Sequence, residues 1–151
     1  MNKLGLLVAG IMAALSINSI ASPLAGQDLL SPVGNWKTID DRTGKPRSLV
    51  QIYLQDGKLF GRIERSLNTA EVGARCTKCT DDRKNQLLSG MVIMRNLQAE
   101  GDKFVAGDII DPDSGTVYRC EIRLSSDGHT LVVRGYVGMP WLGRSQSWER
   151  E

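Results

Sequence analysis

The sequence is short of histidine, cysteine and aromatic residues, and each shortage excludes a class of protein. One histidine, His129, stands in 151 residues, so a Ser-His or Cys-His nucleophile would have to use that residue. Three cysteines are too few for a disulfide-dense scaffold. The sequence contains no nucleophile elbow, P-loop or dinucleotide-binding glycine pattern. We therefore predict no enzyme, no catalytic residue and no cofactor.

Long hydrophobic runs are also lacking. The apolar stretch from Leu4 to Leu15 is shorter than the roughly 20 residues that cross a bilayer. It follows Lys3 and precedes the small-x-small sequence Ser19-Ile20-Ala21, which is the layout of a secretory signal peptide. We predict a cleaved signal peptide over residues 1–21, a linker over 22–31 and one domain over 32–151. The mature protein is expected to be soluble and periplasmic or secreted.

An excess of charge of one sign is absent as well. Nineteen basic and 17 acidic residues give a net charge of +2, and loss of Lys3 with the signal peptide would lower it by one. A near-neutral chain without a basic stripe is a poor nucleic-acid binder. The apolar fraction of 41% and the charged fraction of 24% are those of an ordinary globular domain.

What the sequence does contain is a series of short alternating apolar runs separated by turn residues, a pattern that predicts β-strands. The predicted strands are Val33–Ile39, Ser48–Gln55, Lys58–Arg65, Leu88–Leu97, Asp102–Ile109, Thr116–Leu124, Thr130–Val137 and Arg144–Arg150. Three pairs of strands are joined by Asp56-Gly57, Gly101-Asp102 and Asp127-Gly128, which are typical hairpin turns. An even number of consecutive hairpins predicts an all-β, eight-stranded antiparallel up-and-down barrel.

The connections between these strands alternate in length. The three tight turns are the second, fourth and sixth connections, whereas the longer ones cover residues 40–47, 66–87, 111–115 and 138–143. Successive connections of an up-and-down barrel lie at opposite ends, so the four long loops should surround one mouth. An eight-stranded barrel is wide enough either to be filled by side chains or to hold one small ligand.

The other end is predicted to be closed by Trp36, Trp148 and Arg150. The first strand begins with Gly34-Asn35-Trp36 and the last one ends at Arg150, which places these residues side by side in an antiparallel barrel. A guanidinium stacked on an indole stabilises the fold by about 0.5–2 kcal/mol. A Gly-x-Trp opening with a terminal arginine resembles the calycins, a group that includes lipocalins, fatty-acid-binding proteins and avidins.

From Pro32 to the C-terminus the chain also resembles a bacterial family known as domain of unknown function 2147. The similar segments are Gly34-Asn35-Trp36, residues 81–86, Gly90-Met91, residues 111–118, residues 133–138 and residues 142–148. The resemblance implies an exported small β-barrel and no agreed activity, so no functional residue is carried over. The sequence departs from the family after Gln86, where Leu87-Leu88-Ser89 stands instead of a proline before an apolar pair.

The three cysteines allow more than one pairing. Cys76 and Cys79 form a C-x-x-C pair in a loop-like setting, which favours a structural disulfide over a redox or zinc site in an oxidising compartment. Cys120 alternates with Tyr118 and Ile122, so it should point into the barrel. We predict a Cys76–Cys79 disulfide, with a bridge from either one to Cys120 as the alternative.

Acidic pairs occur in the long connections at Asp40-Asp41, Asp81-Asp82 and Asp111-Pro112-Asp113. Calcium needs six to eight oxygen ligands, whereas Asp residues commonly shape turns by local hydrogen bonds. We therefore predict turn-forming carboxylates and no metal.

An apolar segment over residues 139–142 indicates a contact surface or a lid at the mouth. The first hypothesis is a binding module for a small, mostly apolar ligand. In it Trp141 and Leu142 supply apolar contact, Arg144 orients a polar or anionic head, and Tyr118 and Gln146 donate hydrogen bonds.

The alternative is a filled barrel whose mouth loops bind an envelope protein or a second copy of the chain. Apolar positions predicted to face inward favour a filled or nearly filled interior with a shallow pocket. They are Val50, Ile52, Leu54, Leu59, Ile63, Ile122, Leu124, Leu131 and Val133.

Overall fold

Eight antiparallel strands form a closed barrel in the computed structural model, which describes residues 30–151. The strands are β1 (Gly34–Ile39), β2 (Pro46–Gln55), β3 (Lys58–Ser66), β4 (Val92–Glu100), β5 (Lys103–Asp111), β6 (Thr116–Leu124), β7 (Thr130–Tyr136) and β8 (Arg144–Arg150). Each strand pairs with the next, and β8 closes the barrel on β1 through the pair Trp36↔Arg150. The predicted fold class is confirmed. The predicted signal peptide and most of the predicted linker lie outside the described residues.

The largest error in the predicted strands concerns the start of β4, which begins at Val92 rather than Leu88. Residues 88–91 form a turn instead, because Gly90 adopts a φ of +88° and donates its N–H to the carbonyl of Ile63 at 2.7 Å. The described residues contain only short 3-10 turns, at Thr69–Glu71 and Pro140–Leu142, in place of α-helices. No helix among residues 30–151 has the length and apolar character needed to cross a membrane.

The two ends of the barrel differ as the connection lengths predicted. The turns β2–β3, β4–β5 and β6–β7 lie at one end, which we call the floor. The four longer connections, residues 40–45, 67–91, 112–115 and 137–143, lie at the other end, which we call the mouth.

The floor is closed by Arg150, whose guanidinium lies 4.3 Å from the ring centroid of Trp36. Arg150 also donates hydrogen bonds to the carbonyl oxygens of Ser31 and Gly128, both at 2.6 Å. A Cβ atom at position 34 would stand 2.9 Å from this guanidinium, so glycine at that position is what allows the arginine to approach. Trp36 is fully buried, and it anchors the floor half of the core.

The longest connection, residues 67–91, is fixed to the barrel wall. Its predicted disulfide is present, since Cys76 is bonded to Cys79 while Cys120 stays reduced and buried in the barrel. Arg83 in this connection is only 1% exposed. Its guanidinium holds Asp81 through Nε at 3.0 Å and lies 3.7 Å from Asp108 of β5. A buried arginine with two carboxylate neighbours therefore links the connection to the wall.

Candidate functional site

A cavity of about 490 Å³ opens at the mouth and extends into the barrel as far as Trp148. All four long connections contribute to its lining, through residues such as Asp41, Leu88, Pro112 and Leu142. This volume falls within the range of about 300–1,000 Å³ found for small-molecule sites. The expectation of a filled interior with a shallow pocket is therefore wrong.

The cavity exists because the apolar interior residues are concentrated near the floor. Ile52, Leu59, Ile122 and Leu131 are buried in the core and are not part of the cavity lining. Leu54, counted among the inward residues, is instead 60% exposed, although Leu59, its partner across the β2–β3 hairpin, is buried.

Small side chains leave space near the mouth. Thr38, Ser48 and Gly135 all line the cavity, and none of them can fill the width of an eight-stranded barrel. At Gly135 a Cβ atom would lie 3.4 Å from the side chain of Tyr118, so a larger residue there would project into the cavity. The upper interior is consequently open.

The lower wall of the cavity is mostly apolar. Its side chains, which come from six strands of the barrel, include Val50, Ile63, Ile93, Ile109, Val133 and Trp148. Tyr118 and Gln146 add polar groups to this wall. A few polar groups on an apolar surface are the usual composition of a small-molecule site.

One side of the mouth is bridged by Arg47, which binds two carboxylates from other connections. Its NH1 and NH2 atoms donate to Asp113 at 2.7 and 2.8 Å, and NH2 lies 3.3 Å from Glu71. The hydrogen bonds from Arg47 hold the pKa of Asp113 below its usual value, and the same contact raises the pKa of Arg47. This cluster joins the start of β2 to the third and fifth connections at the opening.

The opposite side is bridged by Asp41 of the first connection. Its Oδ2 atom accepts hydrogen bonds from the guanidinium of Arg144 and, at 2.7 Å, from the side-chain amide of Gln146. Both of these residues belong to β8. The predicted head-group ligand Arg144 is thus paired with a carboxylate of the same chain.

In each acidic pair at the mouth, one carboxylate forms a turn and the other binds an arginine. Asp40 Oδ1 accepts hydrogen bonds from the hydroxyl and the N–H of Thr43, and these bonds lower the pKa of Asp40. Asp111 likewise accepts from the N–H of Asp113 and the hydroxyl of Ser114. The prediction of turn-forming carboxylates holds for Asp40 and Asp111, whereas Asp41 and Asp113 bind arginines.

The structure brings most of the predicted ligand-binding residues together. Tyr118, Leu142, Arg144 and Gln146 line the cavity, but Trp141 does not. The Trp141 side chain is 70% exposed on a 3-10 turn whose Pro140 carbonyl accepts a hydrogen bond from Arg134 at 2.7 Å. Trp141 is therefore displayed outside the opening.

Sequence reasoning missed Arg47 and Glu71. Trp148, predicted as part of the floor, is buried and forms the bottom of the cavity. Arg47 follows the first long connection and Glu71 lies within the third, so both positions were within the predicted mouth. The only signal available in the sequence was that these two charged residues stand in or beside a long connection. Their partners come from segments 24 and 66 residues away, and no sequence spacing reports such pairs.

The remaining reactive groups lie away from the cavity. His129 is in the β6–β7 turn at the floor, and burial raises the pKa of the Cys120 thiol well above its usual value. Over residues 30–151, no three His, Cys, Asp or Glu side chains are grouped so that they could hold a metal ion.

A closed eight-stranded barrel with a cavity at one end, apolar at its base and charged at its opening, has the architecture of a lipocalin-like protein. The solved structure of protein HP1028 from Helicobacter pylori, described as belonging to the lipocalin family, is similar to this chain with a TM-score of 0.70. The match covers 80% of this chain and 83% of that chain at 17% identity, and a likeness at this identity establishes the fold alone.

The family follows from the sequence. Residues 34–150 match the model of a family described as "Uncharacterized protein conserved in bacteria (DUF2147)", and the chain belongs to that family. The resemblance noted in the sequence is confirmed. No curated protein sequence matches the chain.

Proposed function

We propose that this protein binds a small, mostly apolar molecule in the cavity at the mouth of its barrel. The observation that carries the proposal is the combination of about 490 Å³ of open space with an apolar wall that ends at Trp148. Binding of an apolar ligand there would remove the surface of the ligand and the wall of the cavity from water. This burial stabilises the complex by roughly 25 cal/mol per Å² of apolar surface. Tyr118 would provide a polar contact to one end of the ligand, whereas the side-chain amide of Gln146 is held by Asp41.

The ion pairs around the opening support a site that exists before the ligand arrives. Arg47 ties the third and fifth connections to β2, and Asp41 ties the first connection to β8, so little ordering of the loops is needed on binding. A preformed site loses less free energy on binding than a flexible one.

The test uses N-phenyl-1-naphthylamine, an uncharged probe that fluoresces in apolar surroundings. Val133 lines the cavity, whereas its neighbour Val132 faces outward and is partly exposed. We expect the native protein and Val132→Phe to bind the probe, and Val133→Phe to bind it at least tenfold more weakly. Equal circular dichroism spectra would show that both variants fold. Probe binding that is absent from the native protein, or is unchanged in Val133→Phe, would contradict the proposal.

A second candidate function is favoured by the exposed apolar tip of the seventh connection. Trp141 and Leu142 are 70% and 72% exposed, and large exposed apolar side chains commonly mark contacts with other proteins. This candidate is an interaction module that binds an envelope protein or a second copy of the chain. Sedimentation of the native protein and of Trp141→Ala tests the second copy, because self-association should weaken in the variant. A native protein that stays monomeric at millimolar concentration would exclude self-association.

We also propose that the protein is exported and acts in the periplasm or outside the cell. The predicted signal peptide over residues 1–21 and the disulfide Cys76–Cys79 support export. Mass spectrometry of the protein from a periplasmic extract should find a chain that begins near Ser22.

A further inference from the structure

The charges around the cavity are unevenly balanced. Five carboxylates and three guanidinium groups line it, which gives a net charge of −2 at neutral pH, although the whole chain carries +2. The eight charged residues are Asp40, Asp41, Arg42, Arg47, Glu71, Asp111, Asp113 and Arg144.

Two of the three arginines of the lining are occupied by carboxylates of the chain. Arg47 directs three nitrogen atoms at Asp113 and Glu71, so it has little capacity left for a ligand carboxylate. Arg144 is paired with Asp41. The side chain of Arg42 has only an electrostatic effect on Asp40, the smallest of the causes that lower the pKa of that residue. An anionic ligand that approaches Arg47 or Arg144 would have to compete with a carboxylate of the chain.

Hydrogen bonds lower the pKa values of Asp40 and Asp113, which favours the charged form of these two carboxylates. Asp111 accepts hydrogen bonds within the turn that it forms. The lining residues therefore carry an excess of negative charge. It stands at the opening, above an apolar wall that carries no charged side chain.

We propose that the cavity selects amphiphiles with a cationic or uncharged head over those with a carboxylate head. This inference rests on the proposed function and names the ligand class of the same site. The apolar part of the ligand would lie against the wall beside Val133 and Trp148, with its head among the carboxylates at the mouth. The expectation that Arg144 orients an anionic head is replaced, because Asp41 already neutralises that guanidinium.

The expected size of the preference follows from Coulomb's law. In water-like surroundings, one unit charge at about 8 Å changes an affinity about twofold. Replacing a head of charge −1 by one of charge +1 near a net charge of −2 involves four such factors, so the affinity should change about 16-fold. The preference should largely disappear at high ionic strength, where the Debye length is only about 3 Å at 1 M salt.

The experiment measures displacement of N-phenyl-1-naphthylamine by decylammonium, decanoate and 1-decanol, which share one alkyl chain. At 20 mM salt we expect decylammonium to bind about 16-fold more tightly than decanoate, with 1-decanol between them. At 1 M salt the two charged ligands should bind almost equally. Equal affinities at low salt, or tighter binding of decanoate, would overturn the inference.

Two matched variants separate the charge of the mouth from the charge of the whole protein. Asp40 and Asp127 each shape a turn through Oδ1, and asparagine keeps that oxygen while it removes the charge. Asp40 is at the mouth, whereas Asp127 is in the β6–β7 turn at the floor. Asp40→Asn should reduce the ratio of the decylammonium affinity to the decanoate affinity about fourfold. Asp127→Asn should leave this ratio unchanged. Equal effects of the two substitutions would overturn the inference.

The failure of this inference differs from the failure of the proposed function. Binding of all three ligands without a charge preference would leave the apolar site intact and remove only its selectivity. Displacement by none of them, in a protein that also fails to bind the probe, would overturn the proposed function and the inference together.

Discussion

The floor and the mouth of this barrel are the two ends of the same eight strands, yet they use their side chains in different ways. At the floor, Trp36 and Arg150 stack on each other and the arginine donates to backbone carbonyls, so the space between the strands is closed. At the mouth, the arginines bind carboxylates around an opening. The closed floor contributes to the stability of the fold. The mouth keeps a cavity, and the fold therefore buries fewer apolar contacts at that end.

The difference shows how a barrel of fixed strand number can hold a ligand. Eight strands leave an interior that large side chains can fill, and near the floor they do. Space appears where Thr38, Ser48 and Gly135 replace large residues. The cavity is therefore a consequence of residue size on the inward face, and the loops only frame it.

The largest effect should come from removing the aromatic contact at the floor. Trp36 is fully buried, and its replacement by alanine leaves a cavity in the core and removes the surface on which Arg150 stacks. We expect Trp36→Ala to lower the free energy of unfolding by about 3–5 kcal/mol. Urea unfolding followed by circular dichroism measures the change.

Trp141→Ala is the control at the mouth for this measurement. Because the Trp141 side chain is mostly exposed, its loss should change the free energy of unfolding by less than about 0.5 kcal/mol. A similar loss of stability in both variants would show that the two ends do not differ as described.

A smaller but still large effect is expected for the arginine that fixes the longest connection. Arg83→Ala removes a buried guanidinium and leaves Asp108 of β5 without its neighbour at 3.7 Å. Breaking a fully buried pair by removing one partner costs about 3–5 kcal/mol. Because the side chains of Asp81 and Asp108 are 33% and 35% exposed, we expect a smaller loss, measured as a lower temperature of thermal unfolding.

The matched substitution is Arg95→Ala. Arg95 binds Asp82 of the same connection through two hydrogen bonds at 2.8 and 3.0 Å, but Asp82 is largely exposed. Exposed pairs contribute about 0–1 kcal/mol. Equal destabilisation by the two substitutions would mean that the connection is held by its charge alone and not by the burial of Arg83.

The fold could be predicted from the sequence because the signals that define it are local. Alternation in segments such as Tyr118, Cys120 and Ile122, together with the three tight turns, specifies strands and hairpins without long-range information. Strand parity then places the long connections at one end. Only the start of β4 was misplaced by several residues, because the apolar residues Leu88 and Met91 sit in a turn made by Gly90.

The site was predicted less well because it depends on residue size and on distant charges. Counting apolar residues overestimated how full the interior is, since it ignored where the small residues Thr38, Ser48 and Gly135 stand along their strands. The pairs Arg47–Asp113 and Arg144–Asp41 join segments 66 and 103 residues apart. Such pairs follow from the closed barrel and not from spacing, so the role of Arg144 was assigned without its partner.

The smallest expected effect is a loss of stability at low pH through Asp81, a carboxylate of the longest connection. Hydrogen bonds from the Arg83 side chain lower the pKa of Asp81 to about 2, whereas an unfolded chain has an aspartate pKa of about 3.9. Because the pKa is lower in the folded protein, this contact stabilises the fold above about pH 4, and the contribution is lost as the pH falls towards 2. We therefore expect Asp81→Asn to be less stable than the native protein at pH 7, with a difference that shrinks between pH 4 and pH 2.

Urea unfolding at each pH measures this difference in the free energy of unfolding. The control is Asp127→Asn at the exposed floor turn, whose pH dependence should change less. A difference between Asp81→Asn and the native protein that stays constant down to pH 2 would show that the charge of Asp81 does not hold the connection.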